Sequence, residues 1–283
     1  MPHPAMVKDN VAVITGGASG IGLAAAMRFA AQGMKVCIAD VGVDRLKAAE
    51  AKLLSVPQAG GANIMVATVD VSSRDELIAL ESAVQGRFGG TDILMNNAGI
   101  SPGAKMFGML ENWQRLLAVN LWGVIHGTQV FAPRMIARGR PGLIINTGSK
   151  QGITTPPGEP AYNVSKAGVK AFTEALQHEL RNIEGCRISA HLLIPGHVFT
   201  GLTARGRTEK PPGAWTPEQT IDFMIASLEN GDFYILCPDN DVPRSLDEKR
   251  MLWAIGDIVE NRPSLSRWHP DYADAFAAFV KKG

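Results

Sequence analysis

The sequence contains few cysteines, few aromatic residues and no excess of charge of either sign. Its three cysteines, Cys37, Cys186 and Cys237, are far apart and form no CxxC pair, which argues against a disulfide scaffold or a zinc ribbon. The 28 basic residues nearly balance the 27 acidic ones, so no net field attracts nucleic acid or an anionic membrane. We therefore expect reduced thiols, no nucleic-acid partner, and small molecules as the binding partners.

Long apolar runs are also missing. No stretch approaches the roughly 18 apolar residues of a membrane span, and residues 1–10 lack the apolar core of a signal peptide. The histidines form no HExxH motif and no other paired ligand spacing. These absences predict a cytoplasmic protein with no membrane association and no catalytic metal.

The sequence does contain a regular alternation of short apolar runs with helical patterns. The strand candidates are Val11–Thr15, Lys35–Ala39, Ile64–Val69, Ile93–Asn96, Leu143–Asn146 and Arg187–Ile194. The helix candidates between them are Ile21–Gln32, Val43–Leu54, Arg74–Phe88, Glu111–Ala137 and Ala161–Ile183. Strands rich in Val and Ile suit a parallel sheet that is covered on both faces. The alternation predicts a single-domain α/β fold: a doubly wound, Rossmann-type parallel sheet with helices on both faces.

The later part of the chain is less regular. Residues 154–160 and 203–217 are rich in Pro and Gly and are predicted to be surface loops, followed by a helix at 218–228 and a strand at 233–237. We expect residues 1–240 to form one domain. Residues 241–283 are expected to form a C-terminal extension that packs on the same domain.

A glycine-rich turn, TGGASGIG at Thr15–Gly22, follows the first strand and opens the first helix. In this context the backbone N–H groups of such a turn can approach a pyrophosphate at the positive end of the helix. Gly16, Ser19, Gly20, Ile21 and Gly22 are therefore candidate dinucleotide ligands. The spacing is Gly-x3-Gly-x-Gly and not GxGxxG, so the alternative of a tight turn that needs glycine for positive φ stays open.

An acidic residue ends the second strand. Asp40 lies 18 residues after Gly22, close to the roughly 20-residue offset at which a carboxylate binds the adenosine ribose hydroxyls. A carboxylate there repels a 2′-phosphate, and neither Val41 nor Gly42 supplies a cation. The pattern therefore favours NAD over NADP, the alternative being a strand-end acid that caps the next turn.

Tyr162 and Lys166 are one helical turn apart and share a helix face. A phenol with an ordinary pKa of about 10 is a poor acid–base catalyst at neutral pH, and lowering it by two or three units takes roughly 3 to 4 kcal/mol. We expect Lys166 to lower the pKa of Tyr162, so that this phenol exchanges a proton with a substrate oxygen. Ser149, just beyond a strand, is expected to orient that oxygen. The alternative for the pair is a solvated surface contact.

These motifs together resemble those of the short-chain dehydrogenase/reductase (SDR) family, from about Val7 to Thr203. TGGASGIG matches the family's TGxxxGxG, Asn96-Asn97-Ala98-Gly99 its NNAG, Tyr162–Lys166 its YxxxK, and Pro195–Thr200 its PGxVxT. The resemblance thins in the tail after Asp241. The family's pattern implies that Asp70 and Val71 hold the adenine and that Asn120 holds a water in the proton relay.

The resemblance therefore implies a hydride transfer between NAD and an alcohol or ketone. It also implies that residues 1–240 carry the cofactor and catalytic sites, with a substrate loop at about 197–217. The implied catalytic residues are Asn120, Ser149, Tyr162 and Lys166. The implied cofactor-binding residues are Gly16, Ser19, Gly20, Ile21, Gly22, Asp40, Asp70, Val71, Asn97, Ala98, Gly99, Tyr162, Lys166, Pro195, Gly196, Val198 and Thr200. The patterns at 112–137 and 161–183 correspond to helices that pair between subunits, which implies a homo-oligomer, a dimer or tetramer. Two alternatives remain: a catalytically inactive NAD-sensing or scaffold protein, and an epimerase or dehydratase that retains its cofactor.

Overall fold

The computed structural model describes residues 3–204 and 206–281, so Arg205 of the predicted substrate loop lies outside the described residues. The chain builds one seven-stranded, entirely parallel sheet in the order β3-β2-β1-β4-β5-β6-β7. The strands are β1 (Val11–Thr15), β2 (Lys35–Asp40), β3 (Ile64–Thr68), β4 (Ile93–Asn96), β5 (Gly142–Thr147), β6 (Ile188–Ile194) and β7 (Tyr234–Leu236). The prediction of a doubly wound parallel sheet is confirmed.

Helices connect the strands. They are α1 (Gly20–Ala31), α2 (Val43–Leu54), α3 (Arg74–Phe88), α4 (Leu110–Leu117), α5 (Gly123–Ala137), α6 (Gln151–Thr154), α7 (Pro160–Asn182), α8 (Gly201–Ala204), α9 (Pro217–Glu229), α10 (Arg244–Val259) and α11 (Ala273–Lys281). The prediction of one helix over Glu111–Ala137 is wrong in one detail, because a π-helical segment, Ala118–Trp122, separates α4 from α5. Such wide turns mark functional sites more often than ordinary helix does.

The core lies on both faces of the sheet because successive strand residues point to opposite sides. In β1, Ala12 and Ile14 join the apolar cluster that α1, α2 and α9 cover, whereas Val11 and Val13 join the cluster under α3, α5 and α7. All four side chains are almost completely buried. Burying each large apolar side chain contributes roughly 1.5–3 kcal/mol, so the sheet is a rigid platform for the loops at its edge.

The sheet order places β1 next to β4, with β2 and β3 on one side and β5 to β7 on the other. Strand order therefore reverses between β1 and β4, and open α/β sheets bind ligands outside the carboxyl ends of the strands at such a point. The loops that follow β1 and β4 carry the glycine turn and the Asn97–Gly99 motif. The fold thus brings two distant sequence motifs to one crevice.

Residues after Asp241 form α10, α11 and two short 3-10 turns. Trp253 of α10 is buried, stacks edge-on against Phe276 and Phe279, and donates a hydrogen bond from Nε1 to Ser266 at 2.8 Å. The guanidinium of Arg262 lies 4.1 Å from the centre of its ring. This aromatic cluster holds the C-terminal helices together. Of the helices described, none combines the length and the apolar character needed to cross a membrane.

Candidate active site

A cleft of about 760 Å³ opens at the carboxyl ends of the central strands. It is lined by most of the residues that the sequence predicts as site residues: Gly16, Ser19, Gly20, Ile21, Asp40, Asp70, Val71, Asn97, Ala98, Gly99, Ser149, Tyr162, Lys166, Pro195, Gly196, Val198 and Thr200. Gly22 and Asn120 do not line it. Residues spread over most of the chain thus meet in one cavity large enough for a dinucleotide and a small substrate.

The glycine turn between β1 and α1 leaves no room for side chains. Gly16 has φ +63°, and a Cβ added to it would lie 2.7 Å from the Cα of Ala98; a Cβ on Gly22 would lie 2.3 Å from the carbonyl oxygen of Gly16. Ser19 precedes α1 but makes no side-chain cap of its first turn. Backbone donors at a helix N-terminus that no side chain caps suit a pyrophosphate, so the turn fits a dinucleotide. Gly22 serves the packing of this turn rather than the wall of the cleft.

Asn97 directly follows β4 and holds the glycine turn from the side. Its amide Nδ2 donates to the carbonyl oxygens of Thr15 and Gly16 at 3.2 and 3.3 Å, and the hydroxyl of Thr15 accepts hydrogen bonds from the backbone N–H groups of Asn97 and Ala98. The two motifs on either side of the crevice are therefore fixed to each other before any ligand binds.

Asp40 ends β2 at the far end of the cleft. Its carboxylate accepts hydrogen bonds from the backbone N–H groups of Ala18 at 3.4 Å and Gly42 at 3.1 Å, which ties it to the glycine turn. The guanidinium of Arg45 lies 3.1 Å from the same carboxylate and also lines the cleft. Neither the glycine turn nor Val41 and Gly42 supply a cation, and the sequence pattern does not reveal Arg45, because the first turn of α2 folds this residue back.

Asp70 and Val71 follow β3 and form the adjacent wall. The carboxylate of Asp70 accepts hydrogen bonds from the N–H and hydroxyl of Ser72 at 2.9 and 2.7 Å, and Val71 is buried against Gly123. The intramolecular bonds to Ser72 fix the rotamer of Asp70. An apolar side chain beside a fixed carboxylate is a suitable contact for the flat face and the amino edge of a purine.

Ser149, Tyr162 and Lys166 come together where β5 meets the start of α7. Ser149 lies two residues beyond β5, hydrogen-bonds with the hydroxyl of Tyr162 and accepts a bond from the N–H of Gln151 at 3.1 Å. Lys166, one turn along α7, is buried and donates to the carbonyl oxygen of Thr147 at 2.7 Å. Its Nζ lies 5.7 Å from the centre of the Tyr162 ring. The three side chains face one part of the cleft.

The expectation that Lys166 lowers the pKa of Tyr162 is wrong for this structure. Burial raises the pKa of Tyr162 to about 12; the hydrogen bond with Ser149 opposes this rise, and the nearby charge of Glu159 adds to it. Burial also lowers the pKa of Lys166 to about 8, because nothing compensates fully for the lost hydration of its ammonium. Tyr162 is therefore a protonated phenol at neutral pH, which suits a donor to a carbonyl oxygen.

Asn120 lies in the π-helical segment, fully buried below the cleft. Its amide bridges the backbone of Ile100: Oδ1 accepts from the N–H at 2.8 Å and Nδ2 donates to the carbonyl at 2.9 Å. Asn120 thus shapes the loop after β4 in this structure. The side chain does not line the cleft, and the role of Asn120 in a proton relay stays a prediction.

The segment Pro195–Thr200 closes the cleft on the side of β6. Val198 pairs with Trp215 across an isolated bridge, Phe199 donates its N–H to the Trp215 carbonyl at 2.9 Å, and Trp215 donates to the His197 carbonyl at 2.8 Å. Thr200 lies over Gly20, where an added Cβ would approach its side chain to 3.0 Å. The predicted substrate loop therefore begins against the glycine turn.

Several cleft residues were not anticipated from the sequence. They are Arg45, Ser72, Ser101, Arg115, Lys150, Gln151 and Glu159. Most lie in no motif, and they reach the cleft only because of the tertiary fold. Lys150 had one available signal, since it directly follows Ser149. In the described part of the chain, no group of three or more His, Cys, Asp or Glu side chains is arranged to hold a metal ion.

Comparison with known proteins gives a consistent result. Residues 10–211 match the family described as short chain dehydrogenase. SadH of Mycobacterium tuberculosis, named as an oxidoreductase, is 39% identical over 174 residues, which cover 61% of this chain and 61% of SadH. The 1-deoxy-11-beta-hydroxypentalenate dehydrogenase of Streptomyces exfoliatus is 31% identical and is matched over 95% of its length and 93% of this chain.

Solved structures that resemble this chain point to the same family. A short chain dehydrogenase/reductase from Burkholderia phymatum, crystallised with NAD, superposes with a TM-score of 0.81 at 30% identity and covers 92% of this chain and 97% of its own. Other similar structures contain NADP or 5-hydroxy-NADP. The likeness to the Burkholderia structure extends over most of the chain, including much of the region beyond residue 211.

Proposed function

This chain belongs to the short-chain dehydrogenase family, and from that membership we propose that it is an NAD-dependent oxidoreductase acting on a secondary alcohol or its ketone. The observation that carries the proposal is the meeting of Ser149, Tyr162 and Lys166 in a cleft whose other end carries Asp40. An acid–base group and a dinucleotide cradle in one cavity are what hydride transfer to a carbonyl requires.

The cofactor would lie along the carboxyl ends of the strands. Its pyrophosphate would meet Gly16, Ser19, Gly20 and Ile21, its adenine would meet Asp70 and Val71, and its nicotinamide end would meet Pro195–Thr200. Asn97, Ala98 and Gly99 would line the middle. The carboxylate of Asp40 supports NAD as the choice, because a 2′-phosphate placed beside it would be repelled. When bound, the nicotinamide supplies or accepts the hydride.

The residues of this chain handle the proton. In the direction of reduction, the hydroxyls of Ser149 and Tyr162 hold the carbonyl oxygen, and Tyr162 donates its proton as negative charge develops there. In the direction of oxidation, Tyr162 must first lose that proton and then accept the one from the alcohol. Lys166 sits one turn away, bound to Thr147, and positions its charge beside the phenol.

Apolar residues near the cleft support a substrate with a hydrophobic body. Leu202 of the predicted substrate loop lines the cleft, and Trp215 is anchored to the start of this loop through His197 and Phe199. The Streptomyces relative is named as a dehydrogenase of 1-deoxy-11-beta-hydroxypentalenate, a hydroxylated molecule. We propose a secondary alcohol on a largely apolar carbon skeleton as the substrate class.

A homo-oligomer is the proposed state. Leu110 of α4, Trp122, Val164 of α7 and Ile183 are exposed large apolar residues on or beside the helices that the family pattern pairs between subunits. An exposed apolar surface of this kind is typical of a subunit interface. Light scattering after gel filtration would give a dimer or tetramer, and a monomer at micromolar concentration would contradict this part of the proposal.

The experiment for the function as a whole is a screen of alcohols and ketones, followed by absorbance at the NADH band with NAD and NADP in parallel. NADH formation with a secondary alcohol is the expected result. A protein that binds NADH and turns over no substrate would favour the sensor or scaffold alternative. Conversion of substrate with no net NADH would favour epimerase or dehydratase chemistry.

A further inference from the structure

The residue that follows Ser149 belongs to a buried cluster of charges. The ammonium of Lys150 lies 2.6 Å from Asp247 and 3.3 Å from Asp239, and the three side chains are only 16%, 4% and 5% exposed. Lys150 also lines the cleft. Asp239 lies just beyond β7, and Asp247 lies in the first turn of α10. One lysine therefore joins the loop that carries Ser149 to the end of the sheet and to the C-terminal helices.

Asp239 extends this contact to the segment expected to meet the nicotinamide. Its Oδ2, which faces Lys150, also accepts a hydrogen bond from the backbone N–H of His197 at 3.0 Å. Its Oδ1 accepts from the N–H groups of Asp241 and Val242. A Cβ on Gly196 would lie 2.5 Å from Asp239 Oδ2 and 2.9 Å from Lys150 Nζ. The cluster thus lies in direct contact with the backbone at Gly196–His197.

We propose that Lys150 is a positioning residue for hydride transfer: with Asp239 and Asp247 it forms a charged clamp that fixes Ser149 relative to the Gly196–His197 backbone. The proposal rests on the proposed function, since it takes the roles of Ser149 and of that segment from there. Two parts of the site that follow different strands, β5 and β6, are connected through one ammonium. A small displacement of either part would spoil the reacting geometry.

The cost of burying these charges indicates that the cluster fixes a geometry and adds little to the stability of the fold. Burying three charges costs several kcal/mol per ion, and their attraction offsets this only in part, so buried ion pairs are weak evidence for stability but can fix one arrangement. The two carboxylates outnumber the single ammonium, and Arg250 also acts on Asp247. Met251 of α10 and Ile153 of α6 pack against the same buried apolar cluster, so α10 has an attachment that needs no charge.

The test compares Lys150→Met, Asp247→Asn and the double variant with Arg244→Ala. Arg244 lies on α10 in an exposed pair with Glu248 and serves as the matched control. For each protein the measurements are kcat on the alcohol from the screen, the free energy of unfolding, and the Kd values of NADH and of ADP-ribose. ADP-ribose lacks the nicotinamide and so reports only the other end of the cleft.

Lys150→Met is expected to lower kcat and to raise the Kd of NADH, each by about tenfold, with the Kd of ADP-ribose unchanged. Asp247→Asn is expected to have a smaller effect in the same direction, and the double variant an effect below the sum of the two. Arg244→Ala should match the wild type. Asp247→Asn removes the charge and keeps the side-chain volume, so it still tests the clamp if Lys150→Met does not fold.

Equal losses of NADH and ADP-ribose affinity would indicate a general structural role and overturn the clamp. Wild-type kcat and NADH affinity in both Asp247→Asn and Lys150→Met would also overturn it. If the wild type turns over no alcohol, the proposed function fails, and the two Kd values still decide whether the clamp exists.

Discussion

The ammonium of Lys166 lies 2.7 Å from the carbonyl oxygen of Thr147, the last residue of β5. A strand end therefore orients the lysine, which is almost completely buried. Burial lowers the pKa of Lys166 to about 8, so its protonated form is costly in the folded protein at neutral pH. A cost of this kind is typical of functional residues, and it supports the catalytic role proposed for Lys166.

The first prediction concerns stability. Between pH 8 and 10.5 the unfolded lysine binds more proton than the folded one, so Lys166 depresses stability fully below pH 8, and this effect fades as pH rises. The free energy of unfolding of Lys166→Met minus that of the wild type should therefore fall by roughly 2–3 kcal/mol between pH 7 and pH 10, because the wild type becomes relatively more stable. Urea unfolding at both pH values measures it.

Lys170→Met is the control for that comparison, because Lys170 lies one turn further along α7 in a partly exposed pair with Glu174. Its stability difference from wild type should stay nearly constant over the same range. A Lys166→Met difference that is equally flat would mean that Lys166 titrates normally, and the account of its burial would be incorrect.

The second prediction concerns the glycine turn. Gly16→Ala should cost about 1–3 kcal/mol through its left-handed backbone, and more through the 2.7 Å approach to Ala98, and it should weaken NADH binding. Gly139→Ala is a matched control, because Gly139 has φ +61° with open space around it. It should share the backbone strain and leave the Kd of NADH unchanged. Equal effects of the two variants on that Kd would remove the glycine turn from the cofactor site.

The third prediction concerns the choice of cofactor. Asp40→Ser removes the carboxylate that would repel a 2′-phosphate and frees Arg45, its ion-pair partner, to bind one. The ratio of the NADP to the NAD Kd should fall at least about tenfold. Adding Arg45→Ala to Asp40→Ser should reverse most of this gain. A wild-type enzyme that already prefers NADP would contradict the role given to Asp40.

The sequence predicts the sheet and the motifs well because both depend on local pattern. Val11–Thr15, Val43–Leu54, Arg74–Phe88 and Ile93–Asn96 have the predicted bounds. Adjacency to Ser149 was the one sequence signal for Lys150, and its contacts with Asp239 and Asp247 arise only from tertiary packing. Arg45 could not be predicted in the cleft, because only the turn at the start of α2 brings it to Asp40. The pKa of Tyr162 was mispredicted because spacing reveals which charges are near but not how far water is excluded.

The fourth prediction concerns pH. Burial raises the pKa of Tyr162 to about 12, and the charge of Glu159 contributes, so alcohol oxidation should speed up as pH rises toward that range. Glu159→Gln removes the charge and should move this rise in kcat/KM to lower pH. Ser101→Ala is the control, because it removes the 2.7 Å hydrogen bond to Glu159 but leaves the carboxylate charged. Coincident profiles for Glu159→Gln and wild type would exclude this electrostatic effect.

The central claim is that the hydroxyl of Tyr162, held by Ser149, exchanges the proton of the substrate oxygen beside a bound nicotinamide. Tyr162→Phe removes that hydroxyl alone and keeps the ring. The direct measurement is hydride transfer to bound cofactor in a single turnover, with the Kd of NADH determined on the same protein. The account predicts a loss of at least about 10²-fold in the rate with NADH affinity unchanged. A Tyr162→Phe enzyme that transfers hydride at close to the wild-type rate would contradict it.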